Sequence, residues 1–281
     1  MSVRWAVRNY DLGLTLTSGQ AFRWEASGSG WRGIVRGRWV LLRPAAGAIT
    51  AEFPEAAGDT CWLSDYLQIG VELEPVLAAF PHDGPMRAAV RACRGLRLLR
   101  QEPWECLASF ILSSTKRIVQ IRQIVERLCE RFGEPVIVPA GHPPQHAFPT
   151  AARLARSDEK TLRECRMGFR AAYLLEAARA VAAGELDLAK LGLLPVESAR
   201  ARLMALRGVG RKIADCVLLF AYGYQTAFPV DVWVMKALRQ LYFPGRRVSV
   251  RRLREFSETH FGRFAGYAQQ YLFHYIRTRN G

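Results

Sequence analysis

Lysine is scarce in this basic chain. Among 281 residues only Lys116, Lys160, Lys190, Lys212 and Lys236 carry an amine side chain, against 35 arginines. A guanidinium stays protonated and cannot act as an amine nucleophile, so side-chain amine chemistry has five places to reside. Acidic residues are also few: 25 Asp and Glu leave a formal net charge of +15. That balance points to a polyanionic partner, of which nucleic acid is the commonest in cells. The six cysteines (Cys61, Cys93, Cys106, Cys129, Cys165 and Cys216) are scattered and include no CxxC pair. Their spacing argues against a zinc site and for reduced thiols in a cytosolic setting. No apolar run approaches membrane-spanning length, and MSVRWAVRNYDL lacks the apolar core of a signal peptide, so no membrane association is expected. There is no internal repeat and no low-complexity tail. Half the residues are apolar, which suits one large or two modest globular domains.

Residues 1–60 read as β-rich. Leu12, Leu14 and Leu16 alternate in YDLGLTL, as a half-buried strand requires, and GQAFRW, GWRGIVRG and RWVLLRP are further strand candidates. Residues 62–92 look helical, and helical periodicity dominates from about Leu96. The run RIVQIRQIVERLCERFG should close at Gly133 as a C-cap. EPVIVPAGHPPQHAFPT is too rich in proline for a helix interior and reads as a connector. Helices resume at TAARLAR, DEKTLRECR and FRAAYLLEAARAVAAG, and two more close the chain. The expected class is therefore α+β, with an N-terminal antiparallel sheet domain over residues 1–95 and an all-α domain over residues 96–281.

The densest signal lies between Leu206 and Asp231. Gly208 and Gly210 bracket Val209, with helical segments SARARLMAL and KIADCVLLFAY on either side. Such a helix-hairpin-helix, spanning about 196–223, can bring backbone N–H groups close to a phosphate. Lys212 opens the second helix, where the positive helix end and Arg211 would favour a neutral amine. Nineteen residues on, after Pro229 and Val230, Asp231 opens DVWVMKALRQLY and fits an N-cap. Taken singly, these features also suit an interhelical turn, a solvated lysine and a capping aspartate.

Five blocks in order narrow the reading: LTSGQAFRW (16–24), GLRLLRQEPWECLASFILSS (95–114), MGFRAAYLLEAARA (167–180), the hairpin with PVD, and FAGYAQQYLF (264–273). Together they resemble the 8-oxoguanine DNA glycosylases of the eukaryotic type, within the helix-hairpin-helix glycosylase superfamily. The resemblance runs nearly end to end and implies a TBP-like twisted sheet ahead of the helical domain. It implies a bifunctional glycosylase and abasic-site lyase acting on double-stranded DNA that contains 8-oxoguanine. A monomer is expected, cytoplasmic and nucleoid-associated in a prokaryote, nuclear in a eukaryote. The closely spaced cysteines that hold an iron–sulfur centre in some superfamily members are lacking here.

By this resemblance Lys212 is the nucleophile at C1′, and Asp231 stabilises oxocarbenium-like charge on the sugar. Gly19 would accept a hydrogen bond from N7–H of the lesion, Cys216 and Phe273 would sandwich the base, and Gln269 would bind its Watson–Crick edge. Arg207, Gly208, Val209 and Gly210 would contact phosphate. The carbonyls of Arg207 and Val209 would hold a structural K+ or Na+, with no other cofactor required. Phe169 stands where a wedge, usually tyrosine, fills the vacated stack, and Arg170 where an arginine meets the orphaned cytosine. Thr115, Lys116 and Arg117 replace three asparagines, the first of which reads that cytosine. Looser discrimination of the opposite base is expected, with more phosphate binding through Lys116 and Arg117. Trp233 replaces a histidine near phosphate. The alternatives are a glycosylase for other oxidised or alkylated bases, or a non-catalytic helix-hairpin-helix DNA-binding protein. Lys212 speaks against the monofunctional alkyl-base enzymes, which lack it.

Overall fold

Short segments of β-branched and aromatic residues, separated by glycine-bearing turns, pair into a five-stranded antiparallel sheet: β1 (Ser2–Ala6), β2 (Trp24–Ser27), β3 (Gly30–Val35), β4 (Arg38–Ala45) and β5 (Ala48–Glu52). The computed structural model describes residues 2–54 and 58–280. The spatial order is β1-β5-β4-β3-β2. Arg36 and Gly37 turn β3 into β4 with φ of 49° and 73°, the paired positive values that a two-residue hairpin twisted like its strands requires.

The expected strand in YDLGLTL is instead a helix, α1 (Leu12–Thr17). Asp11 Oδ1 accepts a hydrogen bond from Leu14 N at 2.8 Å, a side-chain cap that starts a helix. Leu12 and Leu16, one turn apart, are both buried. GQAFRW contributes only its last residue, Trp24, to a strand; the rest is the loop that carries Gly19.

The remaining helices are α2 (Cys61–Leu67), α3 (Leu73–Ala78), α4 (Gly84–Cys93), α5 (Pro103–Leu112), α6 (Ile118–Phe132), α7 (Ala151–Ala155), α8 (Glu159–Leu162), α9 (Arg170–Ala182), α10 (Leu188–Leu191), α11 (Val196–Met204), α12 (Arg211–Val217), α13 (Val232–Tyr242), α14 (Val250–His260) and α15 (Ala265–Asn280). Gly133 does follow α6, but with φ −81° rather than a left-handed value. A Cβ there would lie 2.0 Å from Ala147 O, so glycine is needed for close approach of the proline-rich connector. That connector holds a small two-stranded ladder, β6 (Pro135–Val136) with β7 (Gln145–His146).

One apolar cluster joins the sheet face to α1 and α2 through Leu16, Trp24, Leu42, Ile49, Leu63 and Leu67. The larger cluster runs through the helices and takes in α3 and α4, where Phe80 packs edge-on against Tyr271 of α15 at 5.6 Å. A polar seam joins the two. The buried Gln20 amide donates to Thr15 O at 2.9 Å and Arg97 O at 2.8 Å, while its Oε1 accepts from Leu99 N at 2.8 Å. Gln101 Nε2 donates to Gln20 O at 2.7 Å. Both ends of the Gln20 amide are thereby partnered, and the SGQ loop is fastened to the RLLRQ segment.

The two hairpin helices are tied by an ion pair. Arg200 Nε of α11 lies 2.6 Å from Asp215 Oδ1 of α12, with side chains 7% and 3% exposed. Removing one partner of such a pair strands the other charge in a low-dielectric interior. Asp215→Asn should therefore cost about 3 kcal/mol, read as a lower urea midpoint with unchanged slope. A change below roughly 1 kcal/mol would mean that Arg200 finds its compensation elsewhere.

Candidate active site

The helical body and the SGQ loop enclose a cavity of about 570 Å³ whose wall includes Gly19, Lys212, Cys216, Asp231, Gln269 and Phe273. These positions come from four segments of the sequence. The fold brings all six together.

Gly210 caps α12, so Lys212 sits in the helix's first turn. Its amine donates to Ser113 Oγ at 3.1 Å and stands 5.1 Å from the Phe110 ring centroid. It therefore faces the cavity and not bulk solvent. Arg211, expected to act beside it, turns away to Glu258 at 2.6 Å and Asp215 at 3.7 Å. Asp231 caps α13, its Oδ1 accepting from Val234 N at 2.8 Å. Burial pushes its carboxyl above the ordinary range, against the lowering effects of that N–H and of Lys212. The Cys216 thiol is pushed up to about 12 by burial, so it lines the wall as a neutral, polarizable surface.

Gly19 has φ +87°, and a Cβ there would come within 2.9 Å of Ile118 Cδ1 and 3.3 Å of Phe273 Cε1. Both the left-handed backbone and the lack of space call for glycine. Gln269 is 4% exposed, yet its Oε1 has no hydrogen-bond partner among the described residues. Sealed without a partner, that amide oxygen is a local cost to the fold, although the residue itself borders the cavity.

The hairpin turns through Gly208, whose φ is +81° and where a Cβ would meet Tyr173 Cδ2 at 2.4 Å. Arg207 lies over the Tyr173 ring at 5.4 Å. The carbonyls of Arg207 and Val209 accept no backbone hydrogen bond among the described residues. Free carbonyl oxygens of this kind suit a hard monovalent cation.

Phe169 is 52% exposed, on a segment strained by positive φ at Arg166 and Gly168. Arg170 is buried, donates to Ser114 O and Thr115 Oγ1, and stacks on Phe169 at 4.3 Å. It thus holds the loop after α5. Thr115 in that loop has φ +55°, where a β-branched residue is an outlier and asparagine is tolerated. Lys116 and Arg117 border the cavity with Ile118 and Val119. Trp233 also lines it and carries Lys236 over its ring at 5.4 Å. Sequence reasoning missed Ser113, Phe110 and Arg277. Arg277 could have been found, because it falls one helical turn after Phe273 on the face of Gln269.

Residues 2–107 match the model of the 8-oxoguanine DNA glycosylase N-terminal domain. Residues 108–261 match the HhH-GPD superfamily of base excision DNA repair proteins, over half the chain. The chain belongs to the HhH-GPD superfamily. The Arabidopsis thaliana protein named N-glycosylase/DNA lyase OGG1 is 30% identical over 93% of this chain and 76% of its own length. The structure of MBOgg1 in complex with a low-affinity DNA ligand superposes with a TM-score of 0.94 at 33% identity, covering 100% of this chain and 96% of that one. The Clostridium acetobutylicum 8-oxoguanine glycosylase/lyase, in complex with double-stranded DNA containing cytosine opposite 8-oxoguanine, gives a TM-score of 0.91 at 32% identity, covering 97% and 93%. The α+β organisation expected of this HhH-GPD protein, a five-stranded antiparallel sheet followed by helices, is the one found.

Proposed function

We propose that this HhH-GPD protein is a DNA base-excision repair enzyme, a bifunctional glycosylase and abasic-site lyase that removes 8-oxoguanine from duplex DNA. The observation that carries the reading is the Lys212 amine on the wall of a cavity, shared with Asp231, that is large enough to admit a purine. A non-catalytic DNA binder has no use for that combination.

A duplex hides the glycosidic bond, so the nucleotide must swing out, at a cost of a few kcal/mol in lost stacking. The arginine-rich surface offsets this through phosphate contacts, and the exposed Phe169 ring would fill the gap. Lys212 Nζ attacks C1′ as the C1′–N9 bond breaks, its electron pair leaving with the base, which then takes up a proton. Asp231 counters the positive charge that builds on the sugar. The C1′–O4′ bond then breaks, O4′ taking up a proton, and the resulting imine acidifies C2′, whose proton is lost as the C3′–O bond breaks, nicking the strand. A K+ or Na+ ion on the Arg207 and Val209 carbonyls would supply positive charge to a bound phosphate. No other cofactor is required by these steps.

Double-stranded DNA is the partner, and the chain is expected to act as a monomer. Among the described residues no helix is long and apolar enough to cross a membrane. Its place of work follows from its substrate: the nucleoid of a prokaryote or the nucleus of a eukaryote. The direct test is borohydride trapping on an 8-oxoguanine duplex, where a covalent protein–DNA adduct is expected and its absence would sink the lyase reading.

Thr115 has no amide to pair with cytosine, so rates on duplexes differing only in the opposing base should differ little. Thr115→Asn should sharpen the preference for cytosine and, by relieving the left-handed strain, stabilise the fold by about 1 kcal/mol. A wild-type cytosine preference of several orders of magnitude would refute the first part, and an unchanged or lower Tm the second.

A further inference from the structure

Arg277 follows Phe273 by one turn of α15 and Gln269 by two, so all three share a helix face, and it lines the same cavity. Its guanidinium lies over the Phe273 ring at 5.3 Å. Nη2 is held by Thr17 O at 3.0 Å and sits 3.3 Å from His274 Nδ1. Nη1 is 3.5 Å from where a Cβ on Gly19 would lie. Among the described residues Nη1 donates to no protein acceptor, and it is not among the sealed, unpartnered polar atoms. One arm of the fork is therefore anchored while the other is open to the cavity beside Gly19. Keeping a charge there is costly. Burial lowers the pKa of this guanidinium and neighbouring Arg122 lowers it further, with Asp231 the attractive partner.

We propose that Arg277 contacts the everted base directly, Nη1 donating to a carbonyl oxygen of the base adjacent to N7. The inference rests on the function proposed above. In 8-oxoguanine the oxygens on C6 and C8 flank N7–H. A donor beside the Gly19 carbonyl thus meets an acceptor on the edge that this carbonyl would read. As the C1′–N9 bond breaks, the electron pair that leaves with the base spreads onto those oxygens. A fixed cation beside the departing base stabilises that charge more as it develops than in the ground state. The guanidinium remains protonated throughout, so the proton the base finally takes comes from elsewhere. Arg277 acts by charge and hydrogen bonding.

The experiment compares wild type, Arg277→Lys and Arg277→Gln in single turnover at saturating enzyme, on an 8-oxoguanine duplex and on a duplex with a preformed abasic site. Arg277→Gln should slow base release about 100-fold, with DNA affinity and β-elimination at the abasic site within about twofold of wild type. Arg277→Lys, which keeps charge and a donor, should recover at least about a tenth of the lost rate. Three results would overturn the proposal: unchanged base release, equal loss on both substrates, or lysine and glutamine behaving alike. The last would assign Arg277 to holding Thr17 and the Gly19 loop. If wild type itself fails to release 8-oxoguanine, the functional reading fails instead, and the wild-type lane shows which has happened.

Discussion

Lys212→Gln is expected to abolish the borohydride-trapped adduct and to lower base release by on the order of 10⁴-fold or more. Glutamine preserves much of the side chain's reach and can still hydrogen-bond to Ser113 Oγ, which the amine meets at 3.1 Å in the native chain. It has no lone pair able to form an imine. Duplex affinity should change by less than about threefold, because the arginine-rich surface carries the phosphate contacts. Retention of a trapped adduct would mean that another amine reacts. Lys116, which also lines the cavity, is then the residue to test.

Asp231→Asn should separate stability from turnover. Asparagine caps helices about as well as aspartate, so the bond to Val234 N survives. The carboxyl's folded pKa is raised by burial. A carboxyl raised on folding costs stability where it is ionised, and that cost is relieved as pH falls through the folded pKa. At neutral pH the neutral amide should accordingly keep Tm or increase it, whereas Asp231→Ala should lose about 1 kcal/mol of capping. Base release should fall by about 10²–10³-fold in both variants, since each lacks the negative charge facing the sugar. In wild type the same direction of shift implies that activity declines on the acid side at a higher pH than an ordinary carboxylate would allow. Equal loss of DNA affinity and turnover in Asp231→Asn would reduce the residue to a cap.

The parts that could be read from the chain are those specified locally. The hairpin is legible because Gly208 needs a positive φ and space against Tyr173, which glycine alone provides at no cost. Lys212 with Cys216, and Gln269 with Phe273, fall four apart on shared helix faces, a spacing that alone reads as packing; only the resemblance of the surrounding blocks marks them as site candidates. Misreading α1 as a strand has a simple origin: three leucines at alternate positions fit period 2, and Leu12 with Leu16 also fits a helical turn. Asp11 decides between them through its bond to Leu14 N. Ser113 could not be paired with Lys212 in advance, because 99 positions separate them and only the packing of α5 against α12 closes that gap. Arg170 is similar. Its bonds to Ser114 and Thr115 cross 56 and 55 positions, and they tie its guanidinium to the loop after α5.

The seam built by Gln20, Arg97, Leu99 and Gln101 has a consequence for how lesion choice could drift. The carbonyl at Gly19 rides on the sheet-side loop, whereas the amine of Lys212 rides on the hairpin; three polar bonds fasten that loop to the segment leading into α5, against which α12 packs. A substitution that loosened those bonds would shift the recognition edge relative to the bond being cut while leaving both chemical groups intact. Such a variant would remain a competent nicking enzyme on abasic sites and become a poor judge of intact versus oxidised guanine. On the function proposed above, lesion choice and strand nicking would thus be separable by mutation.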